Sequence, residues 1–253
     1  MTNSASNKFV AALAIIATPF ALGAFMLAWS PSEQFHRSDP HHDGYVQPRS
    51  VGDLVERTQE STVSVFCVVR DDDWGLGTAW AIELENGLDE KFPTTLITNH
   101  HVIEECIGGK GEVTVAELYK DPVPARIIKW DKENDLALLS TGLKLKPLGL
   151  SQAEPWPGYW VMALGSADGY EGSVAFGNVI NSNRTEILVT NNISNGSSGG
   201  PLVDNEGNVV GVITWSLDEQ QYNGAVSLNA FCVKILECKY EYKGEKTWWD
   251  YNG

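Results

Sequence analysis

The sequence predicts an all-β body built in two halves of about six strands each. Three observations carry this. From residue 51 onward the chain runs in brief stretches rich in β-branched and aromatic residues, cut at close spacing by Gly, Asn and Asp. No helical periodicity alternates with them, which argues against a βαβ fold. The stretches also fall into two sets on either side of Lys144-Leu145-Lys146-Pro147. Short strands with turn signals between them suit sandwiches or closed barrels.

Before the body, Lys8 is followed by an uncharged, largely apolar run of 21 residues, 9–29. About 20 apolar residues cross a bilayer, whereas a cleaved leader has an apolar region of about 7–15. A hydrophobic helix serving as signal-anchor or signal peptide is therefore expected over 1–29. Segment 9–29 would meet the membrane, and the body would be exported. Residues 30–50 are polar and carry Pro31, Pro40 and Pro48. They read as a linker. His36, His41 and His42 lie on this tether and read as solvated residues, not as a metal site.

One short helix is expected at 53–60. The N-terminal half, 51–145, then takes strands at 61–69, 77–84, 94–98, 111–118, 125–130 and 136–140. A short helix is expected at 101–106. The C-terminal half, 146–238, takes strands at 159–165, 172–181, 185–190, 201–204, 208–215 and 224–229. A tail, 239–253, follows, whose Trp248, Trp249 and Tyr251 are expected to pack on the body. The 253 residues carry a formal charge of −15. That argues against nucleic acid or an anionic membrane surface as a partner, because both reward basic patches.

The stretch with the most chemistry is Asn195-Gly196-Ser197-Ser198-Gly199-Gly200-Pro201. Glycines here can take φ > 0 and let backbone N–H groups converge on one small volume. Such a cluster stabilises the oxyanion formed when a nucleophile attacks a carbonyl. Ser198 sits at its centre. A serine hydroxyl needs a histidine base and a carboxylate to orient that base. Thr94 to Val102 reads TTLITNHHV, a strand running into His100 and His101. Asp131 to Ser140 reads DKENDLALLS, with Asp135 directly before an apolar strand.

Taken together, these segments resemble the chymotrypsin-fold serine proteases, and most closely their bacterial Deg/HtrA branch. Gly75-Leu76-Gly77-Thr78-Ala79 resembles the family's glycine-rich strand. Thr98-Asn99-His100-His101-Val102 matches T-N-x-H-V, and Asn134-Asp135-Leu136-Ala137-Leu138-Leu139 matches the D-L-A-L-L motif. Pro147 to Ser151 and Val161 to Gly165 resemble the start of the second barrel, and Gly172 to Ile180 resembles its next hairpin. Gly196 to Val203 is the nucleophile loop. The resemblance covers residues 51 to about 236.

It implies two six-stranded antiparallel β-barrels, chymotrypsin-like, with the active site between them. It further implies Ser198 as nucleophile, His101 as base and then acid, Asp135 as the orienting carboxylate, and the N–H groups of Gly196 and Ser198 as oxyanion hole. His100 reads as a neighbour, exposed or bonded to backbone. Asn192 would lie at the base of the primary pocket, with Thr214-Trp215-Ser216 as one wall and Gly224-Ala225 as the other. An uncharged Asn192 points to small or aliphatic substrate side chains. The substrates would be proteins or peptides, the place the cell envelope, and no metal or organic cofactor is expected. Family members commonly add a peptide-binding PDZ domain, for which the tail is too short. Two other functions stay open: a protease-fold binding protein with little turnover, and an esterase with the same triad.

Cys67, Cys106, Cys232 and Cys238 admit three connectivities in an exported protein. Cys67–Cys106 with Cys232–Cys238 is one of them, and four buried thiols are the alternative. The sequons at Asn183, Asn192 and Asn195 are read as chance matches, since a glycan at Asn195 would obstruct the nucleophile loop.

Overall fold

The structure, a computed structural model, describes residues 44–70, 73–84, 90–152, 154–216 and 222–236. The expected membrane segment 9–29, the three linker histidines, Cys238 and the tail lie outside the described residues. Among the described residues no helix is long and apolar enough to cross a membrane.

Helix α1 (Val51–Gln59) leads into the first barrel. Its strands are β1 (Thr62–Arg70), β2 (Asp73–Ile82), β3 (Thr94–Thr98), β4 (Glu112–Ala116), β5 (Val123–Asp131) and β6 (Leu136–Thr141). They close antiparallel in the order β1-β2-β3-β6-β5-β4. Between β3 and β4 lie α2 (His100–Ile103) and a 3₁₀ turn, Glu104–Cys106. The second barrel comprises β7 (Trp160–Ala167), β8 (Tyr170–Ser182), β9 (Glu186–Val189), β10 (Pro201–Val203), β11 (Val209–Ser216) and β12 (Asn223–Ser227). It closes in the order β10-β11-β12-β9-β8-β7. The expected all-β fold of two six-stranded antiparallel barrels is what the chain adopts.

Side-chain alternation along the strands explains why there are two barrels and not one. In the first barrel Val63, Val65, Ala79, Ala81, Leu96, Val115 and Leu139 point inward and fill the interior. Their neighbours Trp80, Ile82, Ile97 and Leu138 point outward, yet they are buried too. They meet Met162, Val203, Val212 and Phe231 in an apolar layer between the barrels. Trp80 and Phe231 pack edge to face there, with ring centroids 6.0 Å apart. Each such buried side chain contributes roughly 1.5–3 kcal/mol, so the seam between barrels is as much a core as either interior.

One expectation is corrected. The last expected strand, 224–229, ends at Ser227, and Leu228–Phe231 forms helix α3, continued by a π turn over Cys232–Leu236. Ser227 caps it, its hydroxyl accepting from the Ala230 N–H at 3.2 Å. Phe231 then reaches the seam, a burial that no local strand pattern reveals. The end of the expected linker is also bound to the body. Trp160 N–H donates to Gly44 O at 2.7 Å, and Tyr45 packs on Tyr159 at 4.5 Å.

Cys67 on β1 is bridged to Cys106 at the end of the 3₁₀ turn, which ties the segment carrying His101 back to the barrel wall. Cys232 is disulfide-bonded as well. Joint replacement of Cys67 and Cys106 by Ala releases a closure of 39 residues. The expected loss is about 4 kcal/mol in the chain-entropy treatment, read by urea unfolding of the paired variant. A loss under about 1 kcal/mol would show that this bridge does not restrain the unfolded chain.

Candidate active site

Strand β3 ends at Thr98, and the extended Asn99 turns the chain into the single helical turn α2. Consecutive residues on a helix point about 100° apart, so His100 and His101 cannot share a direction. His100 is only 4% exposed, which removes the exposed one of the two expected alternatives. His101 faces outward toward the other barrel's edge. Its Nδ1 lies 2.7 Å from Asp135 Oδ2, and its backbone N–H donates to Asp135 Oδ1 at 2.9 Å. A carboxylate facing Nδ1 keeps the proton on that nitrogen and leaves Nε2 as an acceptor.

Asp135 is placed by the turn before β6. Asp131 organises that turn, accepting from the backbone N–H groups of Glu133 and Asn134 and from the Asn134 side chain. The chain then enters β6 through a left-handed Asp135, at φ 51°. That conformation is uncommon outside glycine and tolerated best by Asp and Asn. Asn99 Nδ2 holds it, donating to the Asp135 carbonyl at 2.7 Å.

Burial works against ionisation of the Asp135 carboxyl. The hydrogen bonds from His101 Nδ1, the Thr214 hydroxyl and the His101 backbone N–H outweigh it and hold the group below its ordinary value of 3.8. The Thr214 bond is 2.6 Å long and crosses from β11 of the second barrel. Thr214 was expected as a pocket wall. It does line the cavity beside His101, and its carbonyl also accepts from the Ser198 hydroxyl at 3.3 Å. One residue thus brings the Asp135 carboxylate and the Ser198 hydroxyl to the same spot. The hydroxyl rests on Thr214 and would have to turn away from it to hand a proton to His101.

The backbone around Ser198 can be accounted for group by group. Asn195 C=O accepts from Asp168 N–H at 2.6 Å, and Gly196 C=O from the Thr78 hydroxyl at 2.6 Å. Ser197 N–H donates to Ser194 O, and Ser197 C=O accepts from Gly200 N–H. Ser198 C=O accepts from Thr78 N–H, and Gly199 N–H donates to Ile213 O. From Asn195 C=O to Gly199 N–H, the two groups left without a protein partner among the described residues are Gly196 N–H and Ser198 N–H. Backbone N–H groups near a protein interior are almost always paired, so two open donors on either side of the Gly196–Ser197 peptide are where an oxygen ligand would be expected. Gly196 must be glycine. Its φ is +88°, and a Cβ there would lie 2.3 Å from Ser166 O.

A cavity of about 670 Å³ opens beside this group, lined by His101, Asp135, Glu186, Thr214, Trp215 and Ala225. The Trp215 indole lies over Gly224, where a Cβ would come within 2.2 Å of the ring, and its Nε1–H donates to Glu186 at 3.0 Å. Ser216 closes β11 opposite Asn223. Asn192 is exposed instead of turned into a pocket base. The alternation of β9 explains this correction, since it continues past the strand end. Ile187, Val189 and Asn191 face inward, and Asn192 falls on the other side. Asn191 is the buried residue, donating to Val161 O and Ala175 O. Sequence reading missed Asn99, Thr78 and the hydroxyl role of Thr214. Asn99 stood inside the quoted T-N-x-H-V motif and Thr78 inside the quoted Gly75-to-Ala79 strand, so both had a local signal.

The model of the trypsin-like peptidase domain family matches residues 77–212, a span that contains His101, Asp135 and Ser198. A probable periplasmic serine endoprotease, DegP-like, of Hahella chejuensis is 35% identical over 128 residues, 46% of this chain and 26% of that protein. The anti-sigma-I factor RsgI9 of Acetivibrio thermocellus is 29% identical over 136 residues, 51% of this chain and 19% of that protein. The matched segments thus make up about a fifth to a quarter of these relatives' length. Among solved structures, the active form of a protease from M. tuberculosis shares the fold, with a TM-score of 0.63 at 20% identity over 78% of this chain and 89% of that one.

Thr214→Val removes one of the bonds that hold Asp135 ionised. At pH 7 the variant is expected to lose about 1.5 kcal/mol or less of stability, since the carboxylate is partly exposed. A depressed carboxyl stabilises the fold above its unfolded pKa and loses that contribution as pH falls through the folded one. The stability gap between natural and variant chains should therefore narrow as pH drops below about 4. Denaturation curves at pH 7 and at acid pH check this, and a gap of constant size would count against the assignment.

Proposed function

The chain belongs to the trypsin-like peptidase family, and from that premise we propose that it is a serine endopeptidase working through an acyl-enzyme. The observation that carries this reading is the pair of open N–H groups at Gly196 and Ser198, set around a serine that Thr214 links to the Asp135–His101 pair.

In the proposed reaction Ser198 Oγ attacks the carbonyl carbon of the scissile peptide, and its proton passes to His101 Nε2. The carbonyl oxygen becomes an oxyanion held by Gly196 N–H and Ser198 N–H. His101, now an imidazolium, is stabilised by Asp135 through Nδ1–H. It gives its proton to the leaving amine as the C–N bond breaks, which leaves an ester on Ser198. A water then adds to that ester, with His101 taking its proton and returning one to Ser198 Oγ as the acid product leaves. The one movement the scheme calls for is the turn of the Ser198 hydroxyl from Thr214 toward His101. The DegP-like relatives support an exported protein acting in the cell envelope on protein or peptide substrates. Anchoring through segment 9–29 is part of the same proposal.

The full-length natural chain and Ser198→Ala should be treated with a serine-reactive fluorophosphonate and offered unfolded casein. Labelling and cleavage are expected in the natural chain and absent from the variant. Labelling without cleavage of casein or any peptide, but with hydrolysis of small esters, would move the reading to an esterase. A folded natural chain that takes no label would point to a binding protein.

A further inference from the structure

Thr78 lies on β2 of the first barrel, is 0% exposed, and directs two bonds into the nucleophile loop of the second. Its N–H donates to Ser198 O at 2.8 Å, and its hydroxyl donates to Gly196 O at 2.6 Å. The hydroxyl has one proton, and its direction is set from behind. Ser166 N–H donates to Thr78 Oγ1 at 2.9 Å, occupying the acceptor side, so the proton is left for Gly196. The Thr78 carbonyl accepts from Thr98 Oγ1 at 2.7 Å, and Ser166 Oγ is in turn 2.7 Å from Ser64 Oγ on β1. A β-branched side chain is stiff about χ1, so this hydroxyl is a rigid strut.

We infer that Thr78 is a positioning residue for the oxyanion site: its hydroxyl fixes the Gly196–Ser197 peptide so that the N–H groups on either side stay open. The reasoning follows the backbone. Ser194 to Ser197 form a turn closed by Ser197 N–H to Ser194 O, with Gly196 at its third position and φ +88°. That sign of φ marks a type II turn, whose alternative, type I, reverses the central peptide and reverses the direction of the Gly196 N–H. Asp168 N–H holds the central peptide by its carbonyl, and Thr78 holds the next one. With the Thr78 hydroxyl gone, Gly196 C=O and Ser166 N–H are both left buried and unpaired. Such groups seek other partners, and with the strut gone the turn is free to reverse. The inference rests on the peptidase reading for its catalytic consequence, but not for its structural one.

The test compares full-length natural chain, Thr78→Val and Thr78→Ser. Valine keeps the shape and backbone bonds but lacks the hydroxyl; serine keeps the hydroxyl. Loss of a whole oxyanion donor costs about 10²–10³ in kcat. Thr78→Val is expected to lower kcat at least about tenfold with KM within about twofold, while Thr78→Ser recovers to within about threefold of natural. A peptide aldehyde, which places its oxygen at the same donors, should weaken with kcat. Crystal structures of both variants read the sign of φ at Gly196 directly, and melting curves confirm that each is folded. A natural kcat in Thr78→Val, or equal slowing in the Val and Ser variants, would overturn the inference. If the natural chain takes no fluorophosphonate and turns over nothing, the peptidase reading falls. The sign of φ at Gly196 in Thr78→Val then decides alone: unchanged overturns the positioning role, reversed supports it.

Discussion

At the proposed site the two barrels are linked by a hydrogen bond across their seam, from the Thr214 hydroxyl to Asp135. The carboxylate belongs to the first barrel and the threonine to the second, and the bond is 2.6 Å long. It can be that short only if the two barrels cannot slide. The apolar layer of Trp80, Ile97, Leu138, Met162, Val212 and Phe231 supplies the rigidity, because close-packed interiors resist displacement in a way that a polar interface does not. Polar groups at the seam then register the halves. Ser64 meets Ser166, Thr78 meets the nucleophile loop, and each bond is directional where the apolar contacts are not.

The seam also explains a pattern that would be anomalous in a single barrel. Outward residues of β1 and β2 include Ser64 and Thr78, and both are fully buried. Burying a hydroxyl without a partner costs about 1–3 kcal/mol. Here each is matched from the facing barrel, so the polar pairs cost little and specify one docking. The two donors around Ser198 are the exception. Leaving them open is a local penalty that the surrounding fold tolerates, and in the proposed reaction it is recovered when the oxyanion forms.

The fold was largely legible because alternation and turn chemistry are local. Strand 94–98 was read to the residue, and the split near 144–147 falls between β6 and β7. Helix α3 was not legible, since Leu228 extends an apolar stretch whose ending depends on Phe231 finding the seam. The spacing that placed Asn192 at a pocket base counted residues and ignored which side of an extended chain each one faces. The proposed triad positions came from motifs. What motifs could not convey is which second-barrel groups hold Asp135, because Thr214 lies 79 positions away from it in the chain.

The resting position of Ser198 bears on how such a site would work. Its hydroxyl bonds the Thr214 carbonyl at 3.3 Å, a long contact for an O–H donor. A short bond there would have to be broken before attack and would add to the barrier. A long one keeps the hydroxyl satisfied when the cleft is empty and releases it at small cost. The features held rigidly are the other ones: the Asp135–His101 pair and the two open N–H groups, every neighbour of which is bonded. Preorganisation is thus invested where charge would develop, on the imidazolium and the oxyanion, and the moving part is a single rotor of the smallest hydroxyl side chain. That division of rigid dipoles and one light moving group is what a general-base mechanism needs, and it follows here from which backbone groups the fold leaves unpaired.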